Sequence, residues 1–470
     1  MSSKLKFHLL FVIFLLGFSS LSFELIILRQ LINFVGSNAL ITSIVMTVIL
    51  LFLSVGYYIG SVISICQKPI RQYIQKLIVF TIFAYILACP FYLMQIYFYF
   101  LYFIGLKQTL VLVSLFSLAF LSLPSASLGF VTSVIGRYIH HFNVNYTGRF
   151  MAIDTIGSVL GSLGTTLVLM PFLGVAHTIL FLIIANILAF FFIAKTKDIP
   201  FFITPLLMAF FLTLLFNNEK IMTGSHFLVK DDAVSRLEIF PVDEENGTYL
   251  SKLMKINGSL SSKVSQKDEL NFEYINFINQ TFIDKLPKEN PADILILGAG
   301  GFTIGIEDTY HRYTFLDIEK DLQKISEDLF LDKPLSQNKK FIARDAYLFL
   351  LNDTKQYDLI VVDVYSALQS IPMNFTTLNF FKLVKAHLKQ GGIMIANIIT
   401  SPNFKNAFSK RIDNTLREAL GSTLQRTIIQ PYNPYADELK NVEYIYYNLP
   451  QDDVVYTLNK NTSFYDQNSL

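Results

Sequence analysis

The sequence predicts a three-part fold: a multi-span α-helical membrane domain over residues 1–218, a small antiparallel β-domain with an entry helix over 219–290, and a doubly wound α/β Rossmann-like sheet over 291–470. Three observations predict it. The chain is only 16% charged, against about 25% in ordinary soluble domains, and the deficit lies in the first half. Residues 1–218 hold 11 basic and 3 acidic groups (Glu24, Asp154, Asp198), net +8, while the remainder holds 27 and 33, net −6. From about residue 291, short apolar runs alternate with helical stretches, and the first run ends in Gly298-Ala299-Gly300-Gly301.

Seven apolar stretches, approximately 7–27, 39–66, 77–101, 109–136, 151–171, 174–194 and 199–216, approach the ~20 residues that cross a ~30 Å hydrocarbon core. The first is not a cleavable signal peptide: its apolar part runs past about 15 residues with no clean small-residue cleavage site after it. The chain is therefore expected to be a multi-pass protein of the cell (inner) membrane, with the lipid bilayer as a partner. With the N-terminus inside, Lys4, Lys6, Lys68, Arg71, Lys76, Arg137, Arg149, Lys195 and Lys197 fall on the inner side, and only Arg29 and Lys107 on the outer. Seven spans place residues 219–470 outside; an interfacial last stretch, or a hairpin at 77–105 around Pro90, returns them inside.

Glu24 and Asp154 fall within apolar stretches, where an acid is costly and functional by default. The plainer reading pairs them with Arg29 and Arg149. Gly157, Gly161 and Gly164 suit close helix packing. Cys66 and Cys89 form no disulfide framework. The seven histidines make no ligand set, so no metal is expected, and His140-His141 beside Arg137 reads as a solvated basic patch. The +2 overall charge averages two unlike halves and gives no nucleic-acid surface.

In the polar half, 235–240 and 253–256 alternate, and Asn257-Gly258 is a hairpin signal. Glu269 to Leu286 reads as a helix. Buried strands are expected at 294–297, 314–316, 340–342, 358–362 and 393–396, with late strands from Glu443 to Asn448 and Val454 to Leu458. The glycine turn reads as strand, tight turn, helix, with helix N–H groups free for a ligand. Ligands bind such sheets at the carboxyl ends of strands, which here are Gly298, Asp317, Asp345 and Asp363. Acids at three successive tips point to an adenosine derivative, with Asp317 accepting from a ribose diol. Each acid taken singly is equally a helix cap or a turn residue.

Ile294 to Glu307, Asp317-Ile318-Glu319, Arg344-Asp345-Ala346, Tyr357 to Asp363, Pro372, Thr376-Thr377, Phe380-Phe381 and Gly391-Gly392 resemble the spermidine synthase (polyamine aminopropyltransferase) family. The apolar half, through Phe23-Glu24 with Arg29, Leu123-Pro124 with Gly129, and Asp154 to Ser158 with Pro171 and Gly174, resembles the membrane part of fused transmembrane members. The resemblance implies a class I methyltransferase-type sheet and decarboxylated S-adenosylmethionine (or S-adenosylmethionine) as co-substrate, with no prosthetic group. Gly298, Gly300, Gly301, Asp317, Ile318, Asp345 and Ala346 would hold it. Asp363 would orient and deprotonate a small-molecule amine, with Tyr274 and Ser366 on the substrate side, and the resemblance leaves room for a homodimer. The chain departs from the family pattern at Gly301 and Ser366, where the family has acids, and at Ile275-Asn276.

Three classes of function follow: an aminopropyltransferase with Asp363 as acid/base, an S-adenosylmethionine-dependent transferase such as a methyltransferase, and a non-catalytic polyamine or nucleotide transporter or sensor. Seven spans exceed what anchoring requires.

Overall fold

The computed structural model describes residues 3–63, 70–106, 108–142, 147–195, 197–242, 244–245, 248–249, 251–265, 271–365, 370–421, 423–436 and 438–450. Ser366 and the expected strand from Val454 to Leu458 lie outside them.

The apolar half forms α1 (Ser3–Val35), α2 (Ala39–Val62), α3 (Ile70–Ala88), α4 (Phe91–Phe103), α5 (Thr109–Phe116) continuing through a π turn into α6 (Ser122–Phe142), α7 (Thr147–Gly164) continuing through a second π turn into α8 (Met170–Ile193), α9 (Ile199–Phe216) and the short α10 (Glu219–Thr223). Five helical segments are long and apolar enough to cross a membrane, and the pair α3–α4, bent by 58°, makes a sixth. One of the five, Thr147–Ile193, is 47 residues. At 1.5 Å per residue it would be more than twice as long as a hydrocarbon core is thick. It is broken at Gly174, whose φ of 76° and ψ of 169° are not helical.

Pair contacts show that the break reverses the chain. Gly157 and Gly161 of α7 pack on Phe14 and Phe18 of α1, and Thr165 bonds Ser22, so α7 runs parallel to α1. Past Gly174, the Phe181 ring packs against Phe18 and the Phe192 ring against Phe11, so α8 runs antiparallel to α1. The small residues thus serve helix packing: a Cβ at Gly157 or Gly161 would collide with α1 backbone. Arg29 does not pair with Glu24. Its Nε donates to the Asp232 carbonyl at 2.5 Å and its Nη2 to Asp231 Oδ1 at 3.1 Å, because the end of α1 abuts the next domain.

The β-domain is a four-stranded antiparallel sheet, β1 (Leu228–Asp231), β2 (Arg236–Pro241), β5 (Ser251–Ile256) and β6 (Ser259–Ser265), with β3 (Glu244–Glu245) and β4 (Thr248–Tyr249) as a separate ribbon. Asn257 and Gly258, at φ 46° and 82°, turn the β5–β6 hairpin as expected, and its tip rests on Asn33 of α1. The expected helix 269–286 is shorter, α11 (Glu273–Thr281), followed by a 3₁₀ turn at Ile283–Lys285.

The remaining strands are β7 (Asp293–Leu297), β8 (Arg312–Asp317), β9 (Lys339–Ala343), β10 (Tyr357–Val362), β11 (Leu388–Thr400), β12 (Gln425–Ile428) and β13 (Lys440–Tyr447), with α12 (Leu322–Ile325), α13 (Ala346–Asn352), α14 (Leu378–Ala386) and α15 (Ala407–Leu420) between them. The sheet order is β12-β13-β11-β10-β7-β8-β9; β7 to β11 are parallel and β13 is antiparallel to β11. Alternate residues feed two cores, Leu295, Leu297 and Ile360 against α13 to α15, and Ile294, Ile296 and Leu359 against α11 and the β-domain. The expected helix after the glycine turn is absent. Residues 302–311 form turns, because Phe302 and Gly305 take positive φ (60° and 65°) and the short segment passes straight to β8.

Candidate functional site

A cavity of about 1300 Å³ opens at the carboxyl ends of β7, β8, β10 and β11. Its opposite wall is the β5–β6 hairpin, and Ile32 of α1 and Ser37 of the short turn between α1 and α2 reach it too. Gly298, Gly300, Asp317, Ile318, Asp345, Ala346, Asp363 and Tyr274, all anticipated from sequence, line it.

At the glycine turn, Gly298 has φ +91° and lies so close to the Asp363 carbonyl that a Cβ would collide with it. The turn draws the β7 tip against its neighbours: Gly298 N donates to the Leu316 carbonyl at 2.9 Å, and Asp363 N to the Leu297 carbonyl at 2.8 Å. Asp317 accepts from Ala299 N at 3.2 Å and Glu319 N at 3.0 Å. Burial raises its pKa against the pull of those N–H groups. Asp345 both caps α13, accepting from Leu348 N at 2.9 Å, and lines the cavity.

Gly301 departs from expectation. It is not a lining residue: its N–H donates to Ser262 Oγ at 2.8 Å, and a Cβ there would strike the Phe330 ring. A side chain at this position has no room in this chain, so its glycine reflects packing of the β-domain on the turn.

The chemistry converges on Asp363. Tyr274 OH donates to its Oδ2 at 2.9 Å and Asn397 Nδ2 to its Oδ1 at 2.9 Å. Burial pushes the Asp363 carboxyl above its usual range against those two donors. Burial also holds Tyr274 far above its ordinary pKa, which keeps it a donor. Asn397 is in turn fixed by Asn441 Nδ2 at 2.9 Å. A carboxylate held on two oxygens by fixed donors at a cavity wall is suited to orient an ammonium group and take its proton.

Residues 278–433 match the spermine/spermidine synthase domain. The chain carries a spermine/spermidine synthase domain. A probable polyamine aminopropyl transferase of Bifidobacterium longum (strain NCC 2705) is 28% identical over 136 residues, and the match spans only 28% of this chain and 29% of that relative. Among solved structures, a probable spermidine synthase from Corynebacterium glutamicum is 25% identical, covering 48% of this chain and 80% of that one at a TM-score of 0.39. Spermidine synthase from Thermotoga maritima is 13% identical, covering 47% and 73% at 0.36.

Sequence reasoning missed several groups around the cavity. Asn397 continues β11 one residue past its apolar run, and Tyr365 donates to the Asn397 carbonyl at 3.1 Å while accepting from Ile399 N at 2.6 Å. Glu443 of β13 is the cross-strand partner of Asn397 and is fully buried. Among the described residues neither of its carboxyl oxygens has a hydrogen-bond partner, and burial followed by the charge of Asp363 raises its pKa well above the usual value. The signal was available: an acid centred in the apolar run Val442 to Tyr446 is out of place in a buried strand.

A charged seam joins the sheet domain that carries the cavity to the bundle. Lys230 Nζ reaches Glu319 at 2.5 Å, Asp321 at 2.6 Å and Asp232 at 3.0 Å, and Ser235 also bonds Glu319. Arg236 bridges Asp231 at 2.8 Å and Glu238 at 2.9 Å, bonds Tyr92 of α4 at 3.1 Å, and stacks on Phe91 with its Cζ 3.5 Å from the ring centroid.

Proposed function

We propose that this is a membrane-bound aminopropyltransferase of polyamine biosynthesis, transferring the aminopropyl group of decarboxylated S-adenosylmethionine to a primary amine. The single observation that carries the reading is Asp363, gripped by Tyr274 and Asn397 in the same cavity as Asp317 and Asp345. The residues fit the donor: two acids at the tips of β8 and β9 suit a ribose diol and an adenine amino group, and the Gly298 turn lets a nucleotide lie against backbone. The net −6 of this half suits a sulfonium cation.

In the reaction the substrate ammonium first yields a proton to the Asp363 carboxylate. The freed nitrogen lone pair then attacks the donor carbon next to sulfur, the C–S bond breaks onto sulfur, and methylthioadenosine leaves. Tyr274 and Asn397 hold the carboxylate toward the amine. Glu443, cross-strand from Asn397, is a further carboxyl close enough to feel the charge of Asp363.

The test is methylthioadenosine release by the full-length protein in detergent, with decarboxylated S-adenosylmethionine and a panel of mono- and diamines. Turnover with an amine supports the reading. Binding of the carboxylated nucleotide in preference to the decarboxylated one, with no release for any amine, ends it.

A further inference from the structure

The helix order decides which end of the bundle carries the synthase domain. The end of α1 abuts that domain through Arg29, Asn33 and Gly36. From there α2 runs away, and its last turn meets Arg137, near the end of α6, which donates to the carbonyls of Gly60 and Ile63 at 2.9 and 2.8 Å. α3 starts at that far end, where Gln72 bonds Asp198 at 2.9 Å. α4 does not cross back: Tyr92 near its start bonds Arg236 and Tyr102 near its finish bonds the Phe34 carbonyl, both at the domain end. α5 and α6 return to the far end, α7 comes back parallel to α1, Gly174 turns the chain beside Asp231, and α8 descends to meet His8 through Phe192. α9 then rises from Asp198 into α10 and the β-domain.

The long helix counts as two passages and the bent pair as one, giving seven. An odd number puts Ser3 and the synthase domain on opposite sides of the membrane. The short helix ends on the side of Ser3 carry the cations: Lys4 and Lys6 on α1, Arg71 and Lys76 on α3, Arg137 on α6, Arg149 on α7, and Lys195 and Lys197 before α9. Arg29, at the other end, is already neutralised by Asp231. Short loops rich in Lys and Arg stay on the cytoplasmic side.

We infer that the synthase domain sits on the exoplasmic face, its cavity against the outer membrane surface, and takes its amine from that side. The placement stands on helix order and charge alone; the amine and the sulfonium donor rest on the proposed reaction. The cavity is lined by Ile32 of α1 and by Ser37 of the short turn between α1 and α2, so the reacting centre lies close to the bilayer surface. The sulfonium donor must reach the same face.

The test uses the full-length protein in its own cell membrane, in a Cys66→Ser background, with cysteine placed at one of two exposed lysines outside the site, Lys410→Cys on α15 or Lys197→Cys before α9. A membrane-impermeant maleimide on intact spheroplasts is expected to label K410C at once and K197C only after permeabilisation. The reverse pattern overturns the inference, as does release of the chain from membranes by alkaline carbonate. Methylthioadenosine release in detergent is blind to sidedness, so failure of the reaction and failure of the placement are told apart.

Discussion

Between helices α1, α7 and α8 of the bundle, hydroxyl and amide groups bond the neighbouring helix: Thr165 donates to Ser22 at 2.8 Å, Asn186 to Ser19 at 2.9 Å, and Ser158 to the Gly17 carbonyl at 3.2 Å. In the sheet domain, buried acids stand at strand ends facing a cavity, and backbone N–H groups or fixed side chains answer them, as at Asp317 and Asp363. The first arrangement closes the contact between helices α1, α7 and α8. The second leaves lone pairs for a ligand. The difference assigns packing to the small and polar residues of the bundle and chemistry to the acids of the sheet, and each substitution below is aimed at one side of that division or at the seam between them.

The largest effect is expected from Asp363→Asn. A positioned general base contributes about 10²–10⁴-fold, so turnover is expected to fall by roughly that factor while nucleotide affinity, proposed to rest on Asp317 and Asp345, is expected to change little. Because burial raises the Asp363 carboxyl, the acid limb of kcat/KM in the parent is expected above the ordinary carboxylate value of 3.8. Single-turnover methylthioadenosine release measures both; an Asn variant within a few-fold of the parent would remove Asp363 from the reaction.

Next comes the seam. Arg236 is 2% exposed and bridges Asp231 and Glu238. Arg236→Met leaves Glu238 with only the longer pairing to Lys255 at 3.7 Å and takes a cation off Phe91, and removing one partner of a buried pair costs about 3–5 kcal/mol. Denaturant unfolding followed by a probe in the β-domain should report that loss. A change below about 0.5 kcal/mol would mean the seam is hydrated and holds nothing together.

The layout of the fold was legible because its signals are periodic and local. Each apolar run from 294 to 396 became a strand, and the strand-tip rule gathered Gly298, Asp317, Asp345 and Asp363 around one cavity. What escaped was set by pairing between distant segments. Asn397 and Glu443 meet only because β13 joins β11 antiparallel. Arg29 is drawn from Glu24 to Asp231 because the β-domain docks on α1, a contact 202 residues apart in sequence. The helix expected after Gly301 failed on two positive φ values in a short segment, where local pattern was a poor guide.

Position 301 sharpens the same division. Restoring the family's acid by Gly301→Asp is expected to lower stability by about 1–3 kcal/mol, the usual cost of overpacking, and to leave amine selectivity unchanged, since the side chain meets Phe330 rather than the cavity. Pairing it with Phe330→Ala makes room and should recover part of the loss in a double-mutant cycle. A gain of diamine turnover in the single variant would show that the position reaches substrate after all.

The smallest effect belongs to Glu443, which contrasts with Asp363 two strands away: among the described residues, one acid has two donors, the other none. Burial and the charge of Asp363 hold the Glu443 pKa well above 4.5. Between the unfolded value and the raised folded one, unfolding releases a proton, so stability declines as pH rises through that window. Glu443→Gln keeps the shape and removes that proton. Its thermal midpoint should match the parent's near pH 5 and exceed it increasingly toward pH 8, by about 2–4 °C for each kcal/mol recovered. Parallel parent and variant profiles would mean that Glu443 ionises in the folded protein without penalty. If the variant also loses affinity for the amine while kcat holds, the carboxyl acts on the substrate side of the site through its cross-strand neighbour Asn397.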